Sequence, residues 1–330
     1  MGTRSRVLIL DASIHPDGIA MLQPDYDVGL LPAHATEAQI LAANDAAVAF
    51  LVRACAVTRR VIEATPALRI IARHGSGVDS VDVAAATEHG IPVTITGAAN
   101  SAAVSEFTLA LMLALCRAIP AMDSSMRRGE WARDSFVGGE LEGKTLGVIG
   151  LGNIGGRVAR HAGGFGMRVL ATDPQVTSEV AKSWGAELVP LTALLAEADF
   201  ITLHVRLTDA TRHLIDRTAI AQMRAGVRII NTARGEVIDE AALLEGLRSG
   251  RVAGAALDTF EREPLPADHP MRGLPNVVLA PHVAGQTQES LRGMARGAAQ
   301  AILDELAGRR PEFVYNPEAY AARETRARRG

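Results

Sequence analysis

Residues 144–173 read KTLGVIGLGNIGGRVARHAGGFGMRVLATD, and this is the most informative stretch of the chain for predicting its fold. The apolar run 145–150 predicts a β-strand that leads into three glycines spaced as G-x-G-x-x-G. Helix-forming residues follow, and a second apolar run at 167–172 predicts another strand. The order of strand, helix and strand predicts a βαβ unit within a parallel sheet.

The three glycines have separate roles in a turn of this kind. Gly150 permits the tight turn, Gly152 lets the backbone approach a pyrophosphate, and Gly155 lets the helix pack closely on the strand. The amino end of the helix adds unpaired N–H groups and a positive dipole. An ordinary βαβ turn is the alternative interpretation, but the strand, the helix and an acidic residue at the end of the second strand together favour a dinucleotide site.

That acidic residue is Asp173, eighteen residues after the last glycine of the motif. A carboxylate in this place accepts hydrogen bonds from the adenosine ribose and repels the 2′-phosphate of NADP. The sequence therefore predicts NAD as the cofactor. Arg206, on the loop after the next predicted strand, would soften the repulsion if it lay close to Asp173.

Short apolar runs alternate with amphipathic stretches along almost the whole chain. Strands are predicted at 6–11, 48–52, 69–73, 91–95, 145–150, 167–173, 198–203, 227–231, 252–257 and 276–280. Helices are predicted at 36–43, 58–64, 101–118, 153–165, 191–196, 216–223, 239–248 and 285–308. This alternation predicts an α/β protein whose parallel sheets are covered by helices on both faces. The helix that ends before Pro120 and the helix at 285–308 are predicted to link two domains, and the charged tail 309–330 is expected to fray.

The composition excludes several classes of function. The 330 residues are 48% hydrophobic and 4% aromatic, with a formal net charge of −3, so neither nucleic acid nor an anionic membrane is an expected partner. The two cysteines cannot build a disulfide framework, and no metal-ligand set is recognised. The longest apolar run, 107–116, is about half a membrane span, and the amino terminus lacks a signal-peptide pattern. We therefore expect a cytoplasmic protein that binds a small molecule or another protein.

Three ionisable residues follow predicted strands in the second half of the chain: Arg234, Glu263 and His282. Taken singly, such an arginine is most often a solvated charge, such a histidine a structural hydrogen-bonding group, and such a glutamate a loop residue. Together they follow successive strands of the sheet that carries the glycine motif. Because the carboxyl ends of parallel strands line the ligand crevice, all three side chains are predicted to converge beside a bound nicotinamide.

Nearly the whole chain, from about 52 to 317, resembles the D-2-hydroxyacid dehydrogenases, and within them the D-3-phosphoglycerate dehydrogenase and hydroxypyruvate reductase branch. The matching motifs are ARHGSGVDSVD (72–82), NSAAVSEFTLALM (100–112), GLGNIGG (150–156), INTARGEVIDEAAL (230–243), AALDTFEREP (255–264) and APHVAGQT (280–287). The resemblance implies two Rossmann-like domains with doubly wound parallel sheets, the first of them discontinuous. Residues 1–98 and 286–330 would form the substrate (catalytic) domain, and 99–285 the NAD-binding domain with a dimerisation segment.

The resemblance assigns the catalytic triad to Arg234, Glu263 and His282. Arg234 would hold the substrate carboxylate and help polarise the reacting oxygen. His282 would donate the proton when a ketone is reduced and accept it when an alcohol is oxidised. Glu263 would orient the imidazole and raise its pKa. Formate dehydrogenases, a related branch, usually carry Gln at this position, so Glu263 argues against that activity.

Further contacts are implied by the same resemblance. The cofactor contacts are Gly150, Gly152, Asn153, Ile154, Gly155, Asp173, His204, Val205, Thr232, Ala233, Arg234, Asp258, His282 and Gly285. The substrate contacts are Arg53, Arg73, Ser76, Gly77, Arg234 and His282. Asp258 would accept from the nicotinamide carboxamide, with a cap or loop acid as the alternative. Arg53 and Arg73 would meet a second anion on the substrate, such as phosphate, sulfonate or carboxylate, with plain surface charge as the alternative.

Some positions depart from the family pattern. His74 stands where a small residue is usual, Arg206 replaces a common proline, and Gln286 replaces a small residue beside the histidine loop. These departures concern the substrate and the cofactor rather than the reaction.

The resemblance implies an NAD-dependent interconversion of a small D-2-hydroxy acid and its 2-keto acid. D-3-phosphoglycerate and 3-phosphohydroxypyruvate, or a similar doubly anionic pair, are the expected substrates. Alternatives are a hydroxypyruvate or glyoxylate reductase and, from a different class, an NAD-sensing corepressor or scaffold without turnover. A homodimer is expected, with residues 100–140, including Trp131 and Phe136, at the interface and Arg133 reaching the partner's substrate. Because the chain ends soon after its last predicted helix, no serine-sensing module is expected.

Overall fold

The computed structural model describes residues 4–327 of the chain. Its contacts divide the chain into two compact units. Unit 1 comprises Met1–Asn100 and Gln286–Gly330, and unit 2 comprises Ser101–Gly285. The chain therefore passes from one unit to the other twice, after Asn100 and after Gly285.

Strands and helices alternate through both units. The strands are β1 (Arg6–Ile9), β2 (Asp27–Leu30), β3 (Ala47–Val52), β4 (Ile70–Arg73), β5 (Val93–Thr94), β6 (Thr145–Ile149), β7 (Arg168–Thr172), β8 (Glu187–Leu188), β9 (Phe200–Leu203), β10 (Val227–Asn231), β11 (Val252–Leu257) and β12 (Val277–Leu279). The helices are α1 (Pro16–Leu22), α2 (Glu37–Ala43), α3 (Arg59–Glu63), α4 (Val83–Glu88), α5 (Ser101–Cys116), α6 (Ile119–Arg127), α7 (Asn153–Gly164), α8 (Ser178–Ser183), α9 (Leu191–Glu197), α10 (Arg217–Gln222), α11 (Glu240–Arg248), α12 (Gln288–Leu306) and α13 (Ala319–Ala327).

Each unit contains one parallel sheet. The strand order is β2-β1-β3-β4-β5 in unit 1 and β12-β11-β10-β9-β6-β7-β8 in unit 2. In unit 2 the order reverses beside β6, which pairs with β7 on one side and with β9 on the other. Such a reversal opens a crevice at the carboxyl ends of β6 and β9, where ligands of α/β sheets bind. The predicted fold class, with its discontinuous first domain, is confirmed.

The sheets are buried on both faces, which explains why their strands read as continuous apolar runs. In β3, Phe50 and Val52 belong to the core on one face, and Ala49 and Leu51 to the core on the other. All four side chains are fully buried. Burying a phenylalanine side chain to this extent contributes about 2–3 kcal/mol to stability. Helices are therefore required on both faces, as the alternating pattern predicted.

Several helices begin at side-chain caps that the sequence supplies locally. The carboxylate of Asp216 accepts from the amide of Ala219 at the start of α10, and that of Asp239 accepts from the amide of Ala242 at the start of α11. The hydroxyl of Thr287 caps α12. These caps satisfy amides that have no partner within the helix.

The sequence did not predict β2, β8, α1, α4, α6, α8 or α13. β2 is an edge strand without a buried residue, and β8 has two residues, so neither shows an apolar run. The helix predicted to end before Pro120 ends at Cys116, and α6 begins at Ile119. Pro120 lies in the first turn of α6, where its missing N–H is not needed.

The expectation that the tail frays is wrong for the residues up to 327. The carboxylate of Glu305, only 3% exposed, accepts from the hydroxyl of Tyr320 at 2.8 Å and from the guanidinium of Arg323 at 2.5 Å. Arg323 also donates to the backbone oxygens of Gly90 and Arg69. A buried carboxylate with several partners thus anchors α13, a feature that residue composition does not reveal. Residues 328–330 lie outside the described part.

Within residues 4–327 no single helix has the length and apolar character needed to cross a membrane. Only α5 and α6 taken together, with a 64° bend between them, meet that criterion of length and composition.

Candidate active site

The glycine turn joins β6 to α7 in unit 2. Gly150 has a φ of 91°, a conformation that favours glycine. A Cβ at Gly155 would lie 2.0 Å from the backbone oxygen of Gly150, so only glycine allows the helix to approach the strand this closely. A Cβ at Gly152 would meet no described atom within 4 Å, which leaves open space in front of the turn.

The amino end of α7 has no side-chain cap among the described residues. Gly152 is the residue that precedes the helix, and the amides of its first turn, including those of Asn153 and Ile154, have no partner within the helix. Amides of this kind and the helix dipole bind the phosphates of a dinucleotide. The open space beside Gly152 and the uncapped helix end both suit a pyrophosphate.

Asp173 follows β7 and braces the same turn. Its Oδ2 accepts from the amide of Leu151 at 2.8 Å, and its Oδ1 accepts from the amide of Gln175 at 2.8 Å. Each carboxylate oxygen can accept a second hydrogen bond, so these contacts leave capacity for ribose hydroxyls.

His204 and Val205 follow β9 on the other side of the strand reversal. A Cβ at Gly150 would lie 2.8 Å from the carbonyl carbon of His204 and 2.9 Å from Cγ1 of Val205, so this backbone closes on the glycine turn. Burial lowers the pKa of His204 to about 3, and its Nε2 lies 3.0 Å from Oγ1 of Thr202. The ring is therefore neutral at pH 7. Arg206, the next residue but one, is exposed.

Arg234 is held by a turn that follows β10. The side chain of the buried Asn231 donates from Nδ2 to the backbone oxygen of Arg234 at 2.8 Å and accepts from the amide of Ala233 at 2.9 Å. The hydroxyl of Thr232 lies 3.0 Å from that of Thr108 on α5. Sequence reasoning named Thr232 and Ala233 but missed Asn231 and Thr108. Their signal was polarity in the middle of apolar runs, in the motifs 100–112 and 230–243.

Gly235 explains why a glycine follows this arginine. A Cβ at Gly235 would lie 1.9 Å from the carbonyl carbon of Phe260 and 2.3 Å from the amide nitrogen of Glu261. The turn that carries Arg234 therefore lies directly against the loop that carries Glu263. The guanidinium of Arg234 also donates from Nη1 to the oxygen of Ala233 at 2.7 Å.

Glu263 and His282 form the hydrogen-bonded pair that the sequence predicted. Oε2 of Glu263 lies 2.7 Å from Nδ1 of His282, and Oε1 accepts from the amide of Phe260 at 3.1 Å. The bond from the Glu263 carboxylate raises the pKa of His282 above its usual value, although burial opposes this. For Glu263, burial opposes ionisation, but the bond from His282 prevails and lowers the pKa, and the charge of Arg234 acts in the same direction.

This geometry determines which ring nitrogen of His282 carries a hydrogen. Because Nδ1 faces a carboxylate, it carries a hydrogen and donates to Oε2 of Glu263. Nε2 is then the nitrogen that exchanges a proton with a ligand. The side chain of His282 is 50% exposed, so solvent and small ligands can reach it.

Asp258, at the end of β11, supports the loop that carries His282. Its Oδ1 accepts from the amide of Val283 and its Oδ2 from the amide of Ala284, both at 2.8 Å. Burial raises the pKa of this carboxyl, although the two amide bonds oppose the shift. His282 itself has a φ of 55°, so its backbone depends on this support. The predicted contact of Asp258 with the nicotinamide carboxamide would have to be made in addition to these two bonds. Gly285, another predicted cofactor contact, follows on the same loop.

The predicted substrate residues Arg53, Arg73, Ser76 and Gly77 belong to unit 1. Arg73 donates from Nε to the oxygen of Gly77 at 2.8 Å and from Nη1 to the oxygen of Val52 at 3.3 Å, and it also contacts the oxygen of Arg53. These bonds direct much of its guanidinium to the backbone and hold the loop that contains Ser76. The side chain of His74 is buried, and burial lowers its pKa to about 4.

Arg53 has different partners from Arg73. It donates from Nη1 to the hydroxyl of Ser13 at 2.5 Å and from Nη2 to the amide oxygen of Gln286 at 3.0 Å. Ser13 in turn bonds to the buried carboxylate of Asp11. Neither direct partner carries a charge. Gln286, noted as a departure from the family pattern, and Ser13, which sequence reasoning missed, thus hold this guanidinium in place.

The segment predicted to form a dimer interface exposes several large apolar side chains. They are Ile119, Met126, Trp131 and Val137, exposed by 47%, 54%, 80% and 92%. Arg133 lies in a short 3₁₀ turn that ends at Ser135, next to Phe136.

The doubly wound sheet, the glycine turn and the histidine–glutamate pair at the strand ends define a dinucleotide-dependent dehydrogenase. Residues 109–284 match the family described as D-isomer specific 2-hydroxyacid dehydrogenase, NAD binding domain. This match covers more than half of the chain. The chain belongs to the D-isomer specific 2-hydroxyacid dehydrogenase family, and NAD is the cofactor of its binding domain.

The similar proteins include D-3-phosphoglycerate dehydrogenases and glyoxylate reductases. The chain is 45% identical over 312 residues to D-3-phosphoglycerate dehydrogenase of Methanocaldococcus jannaschii, which covers 94% of this chain but 59% of that relative. It is 40% identical over 271 residues to glyoxylate reductase of Korarchaeum cryptofilum, covering 81% of this chain and 82% of that relative. A crystal structure of a glyoxylate reductase from Paecilomyes thermophila superposes with a TM-score of 0.87 at 30% identity, covering 96% and 99% of the two chains. The predicted family and class of enzyme are confirmed, and the substrate stays a prediction.

Proposed function

We propose that the protein interconverts a small D-2-hydroxy acid and its 2-keto acid with NAD, and that the substrate carries a second anion, as 3-phosphohydroxypyruvate does. The observation that carries the reaction is the 2.7 Å bond between Glu263 and His282 beside Arg234. It supplies a proton donor of raised pKa next to a cation, which is what reduction of a 2-keto acid requires.

Each residue has a distinct role in this proposal. Bound NAD supplies the hydride acceptor for the alcohol or, when reduced, the hydride donor for the ketone. Arg234 binds the substrate carboxylate and stabilises negative charge on the reacting oxygen. Nε2 of His282 gives its proton to that oxygen in the reductive direction and takes it back in the oxidative direction. Glu263 holds the ring through Nδ1 and stabilises the imidazolium.

Arg53 supports the choice of a doubly anionic substrate. Arg53 is partly exposed, and the direct partners of its guanidinium, Ser13 and Gln286, are neutral. A positive charge that is held in place but not neutralised by them is suited to a phosphate, a sulfonate or a carboxylate. In this proposal Ser76 and Gly77 add backbone amides to the substrate contacts.

One observation favours a second candidate, a hydroxypyruvate or glyoxylate reductase. Arg73 already donates to backbone oxygens, so Arg53 alone would have to bind most of a phosphate charge. A single arginine discriminates less strongly between a phosphorylated and a neutral substituent than a pair does.

The test is NADH oxidation with 3-phosphohydroxypyruvate, sulfopyruvate, hydroxypyruvate, glyoxylate and pyruvate, in the wild type and in Arg53→Gln. We expect the highest kcat/KM with a doubly anionic acid, and Arg53→Gln should lower that value about 30- to 100-fold, the loss of a charged hydrogen bond. In the same variant, kcat/KM with glyoxylate should stay within about threefold of the wild-type value. Arg60→Gln, which removes an exposed arginine of unit 1, is the matched control.

Other results of the panel would reassign the protein. If kcat/KM is highest with hydroxypyruvate or glyoxylate and is equal in the wild type and in Arg53→Gln, the protein would be a hydroxypyruvate or glyoxylate reductase. No turnover with any acid, while NADH still binds, would favour an NAD-sensing scaffold or corepressor.

A homodimer is part of the proposal. The exposed apolar side chains of α6 and the following segment, Trp131 above all, support an interface with a second copy of the chain. Light scattering at micromolar concentration tests it, and a monomer there would also remove Arg133 from any role at the partner's substrate.

A further inference from the structure

Two glutamates of unit 2 hold each other's backbone. The amide of Glu261 donates to Oε1 of Glu240 at 2.8 Å, and the amide of Glu240 donates to Oε1 of Glu261 at 3.2 Å. Glu240 is the first residue of α11, and Glu261 lies in the loop after β11. The side chain of Glu261 therefore satisfies an amide that the helix leaves without a partner, next to the cap that Asp239 provides. We name this reciprocal pair the glutamate clamp.

A histidine lies beside each of these two carboxylates. Nε2 of His213 lies 3.1 Å from Oε1 of Glu261, and Nε2 of His269 lies 3.3 Å from Oε2 of Glu240. Nδ1 of His269 accepts from the amide of Met271, so in the neutral ring the hydrogen lies on Nε2, the nitrogen that faces Glu240. The clamp is thus supported on both carboxylates without a bound ligand.

The glutamate clamp holds the backbone next to Glu263, the residue that bonds to His282. The Phe260–Glu261 peptide lies against Gly235, where a Cβ would come within 1.9 Å of the carbonyl carbon of Phe260. The amide of Phe260 donates to Oε1 of Glu263, the same carboxylate that bonds to His282. Glu261 is two residues before Glu263. Its amide is held by Glu240, so the clamp determines where the turn that presents Glu263 lies.

We propose that Glu240 and Glu261 are positioning residues for the Glu263–His282 pair. They contact neither the imidazole nor the carboxylate that binds it, and they act through the backbone of residues 260–263. The inference rests on the proposed function, since it assigns their effect to the proton donor of that reaction. A loosened clamp lets the Glu263 carboxylate move away from Nδ1 of His282, which weakens the support of the imidazolium.

The first test compares Glu261→Ala with Glu261→Gln. The amide oxygen of Gln can take over both contacts of Oε1, to the amide of Glu240 and to His213, whereas Ala removes them. We expect Glu261→Ala to lower kcat about 10- to 100-fold. The Kd for NADH should change less than about twofold. Glu261→Gln should restore kcat to nearly the wild-type value. Glu245→Ala is the control, because Glu245 is an exposed residue of α11 whose carboxylate pairs with Arg217 of α10.

The pH dependence separates positioning from a merely structural role. His282 faces Glu263, Arg234 and Asp258, and the clamp affects the position of Glu263. In Glu261→Ala the alkaline limb of kcat/KM for keto-acid reduction should therefore move about half a unit or more to lower pH, in the direction expected for a weakened ion pair. Because the two glutamates act as one unit, Glu240→Ala should have a similar effect, and the double variant should lose no more than either single variant.

An NMR titration of the His282 ring measures the same effect without turnover, with the signal assigned by its loss in His282→Asn. A lower pKa in Glu261→Ala and Glu240→Ala, restored in Glu261→Gln, supports the proposal even if none of the acids tested is turned over. An unchanged pKa and an unchanged pH limb in both alanine variants would overturn it, even if their melting temperatures fell. Failure of the wild type to oxidise NADH would refute the proposed function alone.

Discussion

Replacing Glu263 by Gln tests the proposed proton donor most directly. Gln keeps an oxygen that can accept from Nδ1 of His282 at the present distance of 2.7 Å, but it removes the negative charge. The pKa of His282 is raised by Glu263, so it falls in the variant, and the charge of Arg234, which lowers it, then acts with less opposition. Reduction needs the protonated ring, so the alkaline limb of kcat/KM moves to lower pH.

The size of the shift follows from distance and exposure. Two unit charges about 4 Å apart attract by about 1 kcal/mol in water and about 4 kcal/mol at an effective dielectric constant of 20. The two side chains are 50% and 37% exposed, so solvent screens the pair and the attraction lies in the lower part of that range. About 1–2 kcal/mol corresponds to a downward shift of about one pKa unit.

The measurement is kcat/KM against pH in both directions of the reaction. In Glu263→Gln the reductive profile should lose activity on its alkaline side, and the oxidative profile should extend to lower pH, because oxidation needs the neutral ring. Glu245→Gln on the surface of α11 controls for the loss of one carboxylate. Limbs that stay in place in both directions, with kcat merely reduced, would refute the assignment of His282 as the titrating donor.

Three further predictions use other parts of the structure. Asp173→Asn removes the charge predicted to meet the ribose and should reduce the preference for NAD over NADP about 10- to 100-fold, read from the ratio of kcat/KM values. Gly235→Ala forces a Cβ to within 1.9 Å of Phe260 and should lower stability by about 2 kcal/mol or more in urea titrations, whereas Gly163→Ala, in open space on α7, should stabilise by about 0.5–1 kcal/mol. Equal effects of the two alanines would contradict the packing argument. Glu305→Ala leaves the partners of a buried carboxylate unpaired and should cost about 3 kcal/mol, with amide exchange in α13 increasing first, and unchanged protection there would be evidence against the anchor.

The sequence predicted those features that short-range spacing determines. The turn at 150–155 was predictable because glycine spacing, the flanking strands and the terminal acid lie within one short stretch. The pairing of Glu263 with His282 was predictable from topology and family resemblance, since residues that follow neighbouring parallel strands meet at one edge of a sheet.

Other features depend on side-chain directions that spacing does not encode. Arg53 and Arg73 look alike in sequence, yet one guanidinium is held by neutral side chains and the other by backbone oxygens. Asn231 was missed because its two bonds go to its own turn, which is a local function without a recognisable spacing. The glutamate clamp joins residues 21 positions apart and became visible only when the sheet brought α11 next to the loop after β11.

Asp173 has a consequence for any attempt to change the cofactor. The oxygen that accepts from the amide of Leu151 belongs to the same carboxylate that is predicted to meet the ribose, so in this prediction one side chain both shapes the turn and selects the nucleotide. A library of variants selected for activity with NADP as the only cofactor should therefore be enriched in Asn, Ser or Thr at this position. These side chains keep an oxygen that can accept from the amide of Leu151. Ala and Gly would relieve the repulsion but release the loop, and selection should recover them only together with a second change that rebuilds the brace.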